Sequence, residues 1–170
     1  MAALEIEQFP CLSDNYGFLL HDPDAGLTAA IDTPDAGEIE RQLERRGWRL
    51  THIFNTHHHG DHAGGNLALK QRFACEIVGP RADAARIPGI DVQVGDGDTV
   101  AFGDRRIEVY DTPGHTRGHI VYYVPEAAAA FVGDTLFAMG CGRLFEGSPE
   151  QMWNSLSKIA RWPDATWLYC

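Results

Sequence analysis

The sequence predicts a layered α/β protein, with sheet covered on the outside by helices. Two observations carry this. Short apolar runs of strand length, bounded by turns, recur along the chain, and three helical stretches are interleaved with them. The length of 170 residues, 44% hydrophobic and 22% charged, suits one compact domain with a sizeable core.

Strands are expected over 16–20, 27–32, 51–55, 76–79, 99–102, 106–111, 119–124, 129–133 and 166–170. A first helix is expected over 34–46, where Thr33 can cap it, Pro34 fits the first turn and Gly47 can close it. Its Ile39 and Leu43 share a face. A second spans about 64–73, with Leu67 and Leu69 among its apolar residues. A third starts at Ser148-Pro149-Glu150-Gln151, a capping-box pattern. It carries Met152, Leu156 and Ile159 at helical spacing and stops before Pro163; these apolar stripes are read as core. The run Gly95-Asp96-Gly97-Asp98 is similar to a calcium loop but lacks the glutamate such a loop needs, and is read as a hairpin turn.

The formal net charge of −10 argues against a nucleic-acid partner, which would require a positive field. A small anionic substrate stays open, because one cation can reverse the field in a cleft. No run approaches the roughly 20 apolar residues of a membrane helix. The first fifteen residues carry Glu5, Glu7 and Asp14 and no apolar stretch, so a cytoplasmic protein without a signal peptide or membrane partner is expected. Cys11, Cys75, Cys141 and Cys170 form no CxxC pair and are expected as reduced thiols.

The chemistry concentrates in Thr56-His57-His58-His59-Gly60-Asp61-His62-Ala63-Gly64-Gly65, where five potential ligands lie within six residues and four of the eight histidines gather. Extended backbone puts His57 and His59 on one side and turns His58 away. Gly60 then lets the chain bend so that Asp61 and His62 face the same space. Imidazole suits zinc, iron and similar ions, and a carboxylate adds a harder ligand. Two further strands end in comparable loops, one with His115 and His119, the other with Asp134. A carboxylate such as Asp134 can bridge two cations roughly 3.5–4 Å apart.

The order HxHxDH, then a distant His, then Asp, resembles the metallo-β-lactamase superfamily. That resemblance implies an αββα sandwich of two mixed β-sheets flanked by helices, with metals at one edge. It implies His57, His59 and His115 on one metal, Asp61 and His62 on the second, and Asp134 between them. Asp32 matches an early Asp that supports the loop rather than binding metal, and Asn55 and His119 are expected to hold the ligands through hydrogen bonds.

The segments Thr56 to Gly65, Asp14-Asn15-Tyr16 and Gly133 to Gly147 resemble the glyoxalase II (hydroxyacylglutathione hydrolase) family over essentially the whole chain. This implies two divalent metal ions, zinc first with iron or manganese as alternatives. It further implies hydrolysis of S-D-lactoylglutathione to glutathione and D-lactate by a hydroxide held between the metals, in methylglyoxal detoxification. Asp61 and Asp134 would be the catalytic carboxylates, and Arg143 and Phe145 would meet the substrate. Many members carry Tyr where Phe145 stands, and Phe cannot donate its hydrogen bond.

On this reading residues 1–170 are one catalytic domain, incomplete at its C-terminus. The last metal ligand and a helical substrate-binding domain would lie beyond Cys170, which predicts a weak second metal site and an uncovered edge strand. A monomer acting on a small-molecule thioester is expected. The rivals are a single-iron persulfide dioxygenase, which shares HxHxDH and GCGR, and an inactive metal-binding fragment. A nuclease of this fold conflicts with the net charge, and the best-known zinc β-lactamases have Cys where Asp134 stands.

Overall fold

The computed structural model describes residues 2–170 and places eleven strands in two sheets. The first sheet orders β1 (Glu5–Cys11), β2 (Asn15–Asp22), β3 (Leu27–Ile31), β4 (His52–Phe54), β5 (Glu76–Pro80) and β6 (Val92–Val94) from edge to edge. Its first two pairings are antiparallel and its last three parallel. The second sheet contains β7 (Thr99–Phe102), β8 (Arg105–Asp111), β9 (Ile120–Val124), β10 (Ala129–Phe131) and β11 (Trp167–Tyr169), in the order β11-β10-β9-β8-β7. Only β10 and β11 pair in parallel there.

Strand periodicity divides the apolar residues into three layers. Phe18 and Leu20 of β2 join Ile31, Phe54, Phe102, Ile107, Ile120 and Tyr122 in the core between the sheets. Leu19, on the opposite face of β2, meets Ile39 and Leu43 of α1 (Ala36–Arg46). Val121 and Tyr123, on the opposite face of β9, meet Ile159 of α4 (Pro149–Ile159). Strand β9 is therefore buried along its whole length. These contacts make an αββα sandwich, the architecture expected from the sequence. The Tyr122 hydroxyl crosses the central layer and donates to the Asn55 carbonyl at 2.8 Å, joining the two sheets just ahead of the histidine-rich loop.

Several local expectations need correction. The N-cap of α1 is Asp35, whose side chain accepts from Glu38 N; Thr33 instead donates its hydroxyl to Asn66 at 2.7 Å. The second helix, expected over about 64–73, is α3 (Asn66–Phe73), starting later because Gly65 packs against Thr33 and donates to its carbonyl; a separate single turn, α2 (Gly60–Ala63), carries Asp61 and His62. Leu67 is exposed and does not join the core with Leu69, and Leu156 is only partly buried. Strands β1 and β6 were not anticipated: each is an edge strand with few buried residues, so its apolar pattern is weak. The Ser148 capping box is present, with both reciprocal bonds formed. Residues Gly95 to Asp98 form a turn with Gly97 at φ +81°, and Asp98 accepts from Gly95 N and Arg81.

Cys11 and Cys75 are buried, whereas Cys141 and Cys170 are exposed. Burial, then the nearby Glu38 and Asp35 charges, push the Cys11 thiol up to about 11, and burial raises Cys75. A thiolate-selective reagent at pH 8 should modify Cys141 and Cys170 and spare the other two until denaturant is added. Mass spectrometry after labelling checks this; rapid labelling of Cys11 in the folded chain would mean that β1 is not packed as described.

Candidate metal centre

Strands β3 and β4 run parallel in one sheet, and β8 and β10 run in a common direction in the other. The loops at their carboxyl ends carry Asp32, His57 to His62, His115 and Asp134. A hydrogen bond from Ile120 N to the Thr56 carbonyl closes the two sheets together at this edge. Asp32 has φ +57°, a conformation that L-residues rarely adopt. There its carboxylate accepts from Thr56 N and Thr56 Oγ1, both at 2.7 Å, and from His62 Nδ1 at 2.8 Å. One side chain thus holds both ends of the ligand-rich loop.

His57, His59 and His115 each offer a ring nitrogen, and the three nitrogens lie within 4.8 Å of one another. His115 Nε2 and His59 Nδ1 are 3.0 Å apart. His115 donates its other nitrogen to the Arg143 carbonyl at 2.8 Å, and His57 donates Nδ1 to Thr56 Oγ1 at 3.0 Å. That leaves His57 Nε2 buried with no hydrogen-bond partner among the described residues. A buried unpaired nitrogen is costly, and a cation would satisfy it. Burial, reinforced by neighbouring imidazoles, holds His57 well below its ordinary value and lowers His59, so both rings are neutral with free lone pairs. These features fit a metal ion.

A second donor group adjoins the first. His62 Nε2 is 3.1 Å from one Asp134 oxygen and 3.5 Å from Asp61 Oδ2. The other Asp134 oxygen is 3.2 Å from His115 Nε2. Asp134 therefore spans the two groups with one oxygen toward each. Burial alone would raise its pKa, but His62 and the other imidazoles outweigh burial and lower it. Asp32, His57 and His62 also have donor atoms within 4.8 Å of one another. Both Asp32 oxygens are already engaged by Thr56 and His62, so its geometry is that of an orienting group.

The other residues singled out in the sequence divide by what they touch. His119 is fully buried; Nε2 accepts from Asp134 N at 3.1 Å, which leaves Nδ1 to donate to Thr112 or Thr135. Burial holds its pKa down at about 3, so the ring is neutral. Asn55 donates to the His62 carbonyl at 3.0 Å. Arg143 has an exposed side chain and meets the site through its carbonyl. The exposed Phe145 ring stands edge-on to His59 and His115, with centroids 5.6 and 5.3 Å away. His58 turns away and bonds Asp83.

Sequence reasoning assigned no role to Asn15, which donates to Asp61 Oδ2 at 3.2 Å, nor to Thr112 and Thr135. The Asp14-Asn15-Tyr16 resemblance, and a polar residue opening the apolar strand β2, were the signals that could have pointed to Asn15. Gly142 is required by close approach, since a Cβ there would lie 2.0 Å from the Asp134 carbonyl oxygen. A cleft of about 280 Å³ opens beside Asp61, His62 and Asp134, with Tyr16, Phe137 and Tyr169 on its walls.

Comparison with known proteins shows the family. The family described as the metallo-β-lactamase superfamily matches residues 24–169. A Maricaulis maris protein named hydroxyacylglutathione hydrolase is 58% identical over 170 residues, covering 100% of this chain and 66% of its own length. A Brucella anthropi protein of the same name is 58% identical over 167 residues, covering 98% of this chain and 64% of its own. The chain thus spans slightly less than two thirds of the length of these curated relatives. The crystal structure of ETHE1 from Myxococcus xanthus superposes with a TM-score of 0.85 at 32% identity, covering 97% of this chain and 74% of that one.

Two predictions follow from the donor geometry. Replacing His119 by Leu removes the acceptor for Asp134 N and should weaken metal affinity roughly 10–100-fold with the fold retained. Metal titration with circular dichroism as the folding control checks this; unchanged affinity would make His119 a core residue only. The second concerns pH. Burial lowers the His62 pKa, but the Asp32 and Asp134 charges outweigh it and raise it to about 10. A cation at His62 must displace that proton, whereas His57 and His59 are already neutral. Stepwise acidification should therefore empty the His62 group first, leaving about one metal per chain by elemental analysis; simultaneous loss of both would contradict this. In the metal-free chain the sign reverses. Protonated His62 stabilises the fold below the unfolded value of 6.5, and that contribution is lost as pH rises through about 10.

Proposed function

The chain belongs to the metallo-β-lactamase superfamily, and from that premise we propose that it is the metal-binding catalytic part of a hydroxyacylglutathione hydrolase. Its reaction would be S-D-lactoylglutathione plus water giving glutathione and D-lactate. The names of the 58%-identical relatives support the substrate class. The observation that carries the mechanism is the span of Asp134 between His62 and His115.

We assign His57, His59 and His115 to one cation, Asp61 and His62 to a second, and Asp134 to both. Zinc is the expected metal, and iron or manganese also suits these donors. Two such cations supply Lewis acidity that makes water nucleophilic at neutral pH and polarises a carbonyl. The chain's own groups provide the positioning. Asp32 takes the His62 Nδ1 proton, and the Arg143 carbonyl takes that of His115, so each ring presents Nε2 to the centre. Asp61, held by Asn15, would also orient the attacking water. The leaving thiolate requires no strong acid. The Arg143 guanidinium would attract a substrate carboxylate, and Phe145 would offer apolar contact to the tripeptide.

Among the described residues no helix is long and apolar enough to cross a membrane. We propose a cytoplasmic monomer without nucleic-acid or membrane partners. A single-iron dioxygenase, which shares HxHxDH and GCGR, is the second reading; the Asp134 span favours two cations over one.

The test is an assay of the zinc-loaded 170-residue chain with S-D-lactoylglutathione, following thiol release. Hydrolysis abolished by a chelator and restored by zinc is expected, and Asp61→Asn should lower turnover per bound metal by roughly 10²-fold or more. Oxygen-dependent consumption of glutathione persulfide with one bound iron and no thioester cleavage would transfer the assignment to the dioxygenase. Two bound metals with neither activity would make the chain a metal-binding fragment. Undiminished turnover per metal in Asp61→Asn would remove Asp61 from the mechanism.

A further inference from the structure

On the outer side of the three-histidine group lies a set of charged side chains with no part in the reaction above. Asp83 sits in the 3₁₀ turn Arg81–Arg86 that follows β5 and is buried. Its carboxylate accepts from His58 Nδ1 at 3.1 Å and from Arg86 Nη2 at 2.5 Å. Arg86 also forms a two-pronged pair with Glu146, at 2.5 and 3.0 Å. Glu146 in turn accepts from Arg117 N at 2.8 Å. The backbone at Gly118 rests directly on Asp83, since a Cβ there would lie 2.3 Å from the carboxyl carbon.

Three segments of the metal centre converge on this network. The histidine-rich loop enters through His58, next to His57 and His59. The His115 loop enters through Arg117 and Gly118. The third is the segment whose Arg143 carbonyl orients His115 and whose Phe145 ring lies against His59 and His115. A buried carboxylate is strongly destabilising unless its partners stay in place, so Asp83 couples the three segments more tightly than exposed ion pairs could. The two-pronged geometry with Arg86 also fixes the angle at which Glu146 meets it. Bonding to Arg86 holds the Glu146 pKa down at about 2, so the pairing persists across the working pH range.

We propose that Asp83, Arg86 and Glu146 form a clamp that positions the His57, His59 and His115 nitrogens at donor spacing before any cation arrives. They are positioning residues: none touches the candidate ligand nitrogens, and their effect passes through His58, Arg117 and the Arg143 to Glu146 segment. The inference rests on the metal reading of the site.

The test is cobalt(II) titration of the metal-free 170-residue chain, reading affinity and the ligand-field absorption spectrum. The variants are Glu146→Gln and Asp83→Asn, with Arg81→Met as control because Arg81 pairs with Asp98 away from the network. Circular dichroism confirms that each variant is folded, and Glu146→Gln decides the outcome if Asp83→Asn does not fold. The clamp predicts roughly 10-fold weaker cobalt binding and an altered spectrum for Glu146→Gln, with Arg81→Met unchanged. Wild-type affinity and spectrum in Glu146→Gln would overturn the clamp, as would equal weakening in Arg81→Met, which would indicate general destabilisation. Failure of the unaltered chain to bind cobalt would overturn the metal reading, and the clamp with it.

Discussion

The Asp32 carboxylate holds the candidate metal centre in shape. It lies at the end of β3 and takes three hydrogen bonds, two from Thr56 at the start of the histidine-rich loop and one from His62 near its end. Without it only the bonds from Asn55 and Thr33 to the His62 carbonyl would close the loop, and His62 Nδ1 would lose its acceptor. The backbone there is left-handed, at a cost of roughly 1–2 kcal/mol for a residue with a Cβ. Hydrogen bonds to a charged group contribute roughly 1.5–3 kcal/mol each, so three of them offset that strain. The strained position and the ordered loop are two aspects of the same arrangement.

The sandwich explains why such an arrangement can exist at an edge. Tyr122 binds the Asn55 carbonyl from the opposite sheet, and Ile120 N binds the Thr56 carbonyl one residue later. The two sheets are therefore joined at the root of the ligand loop. Loops from β8 and β10 then meet it from the other side. Their own inner bonds, from Asp134 N to His119 and from His115 to the Arg143 carbonyl, aim the remaining donors. The two halves of the site differ electrically. Burial and crowding keep His57 and His59 neutral, while His62 lies among carboxylates that favour its protonated form. The neutral half is ready to accept a cation, and the other must exchange a proton for one.

The chemistry-bearing residues were legible because their spacing is unusual: alternating histidines followed by Asp61 and His62 have little use in an ordinary loop. The buried strands were legible for a similar reason, as in β9, where apolar residues run unbroken because helices or sheet cover both faces. Edge strands β1 and β6 were not, since half-exposed strands need no apolar pattern. Nor was the role of Thr33, whose type suits a helix cap but whose hydroxyl is engaged by Asn66. Asn15 lies in a segment the resemblance marked but without a role, and Asp83 carries no local signature; each acquires its role from a partner more than twenty residues away.

The sequence by itself determined the element types, the layered class and the set of candidate ligands, because periodicity and residue chemistry are local properties. Only the tertiary structure decided which oxygen of Asp134 faces which histidine, and that Asp83, through Arg86, connects three loops. Those are distances between atoms far apart in the chain, fixed by the packing of two sheets and by the cost of leaving a buried polar group unpaired.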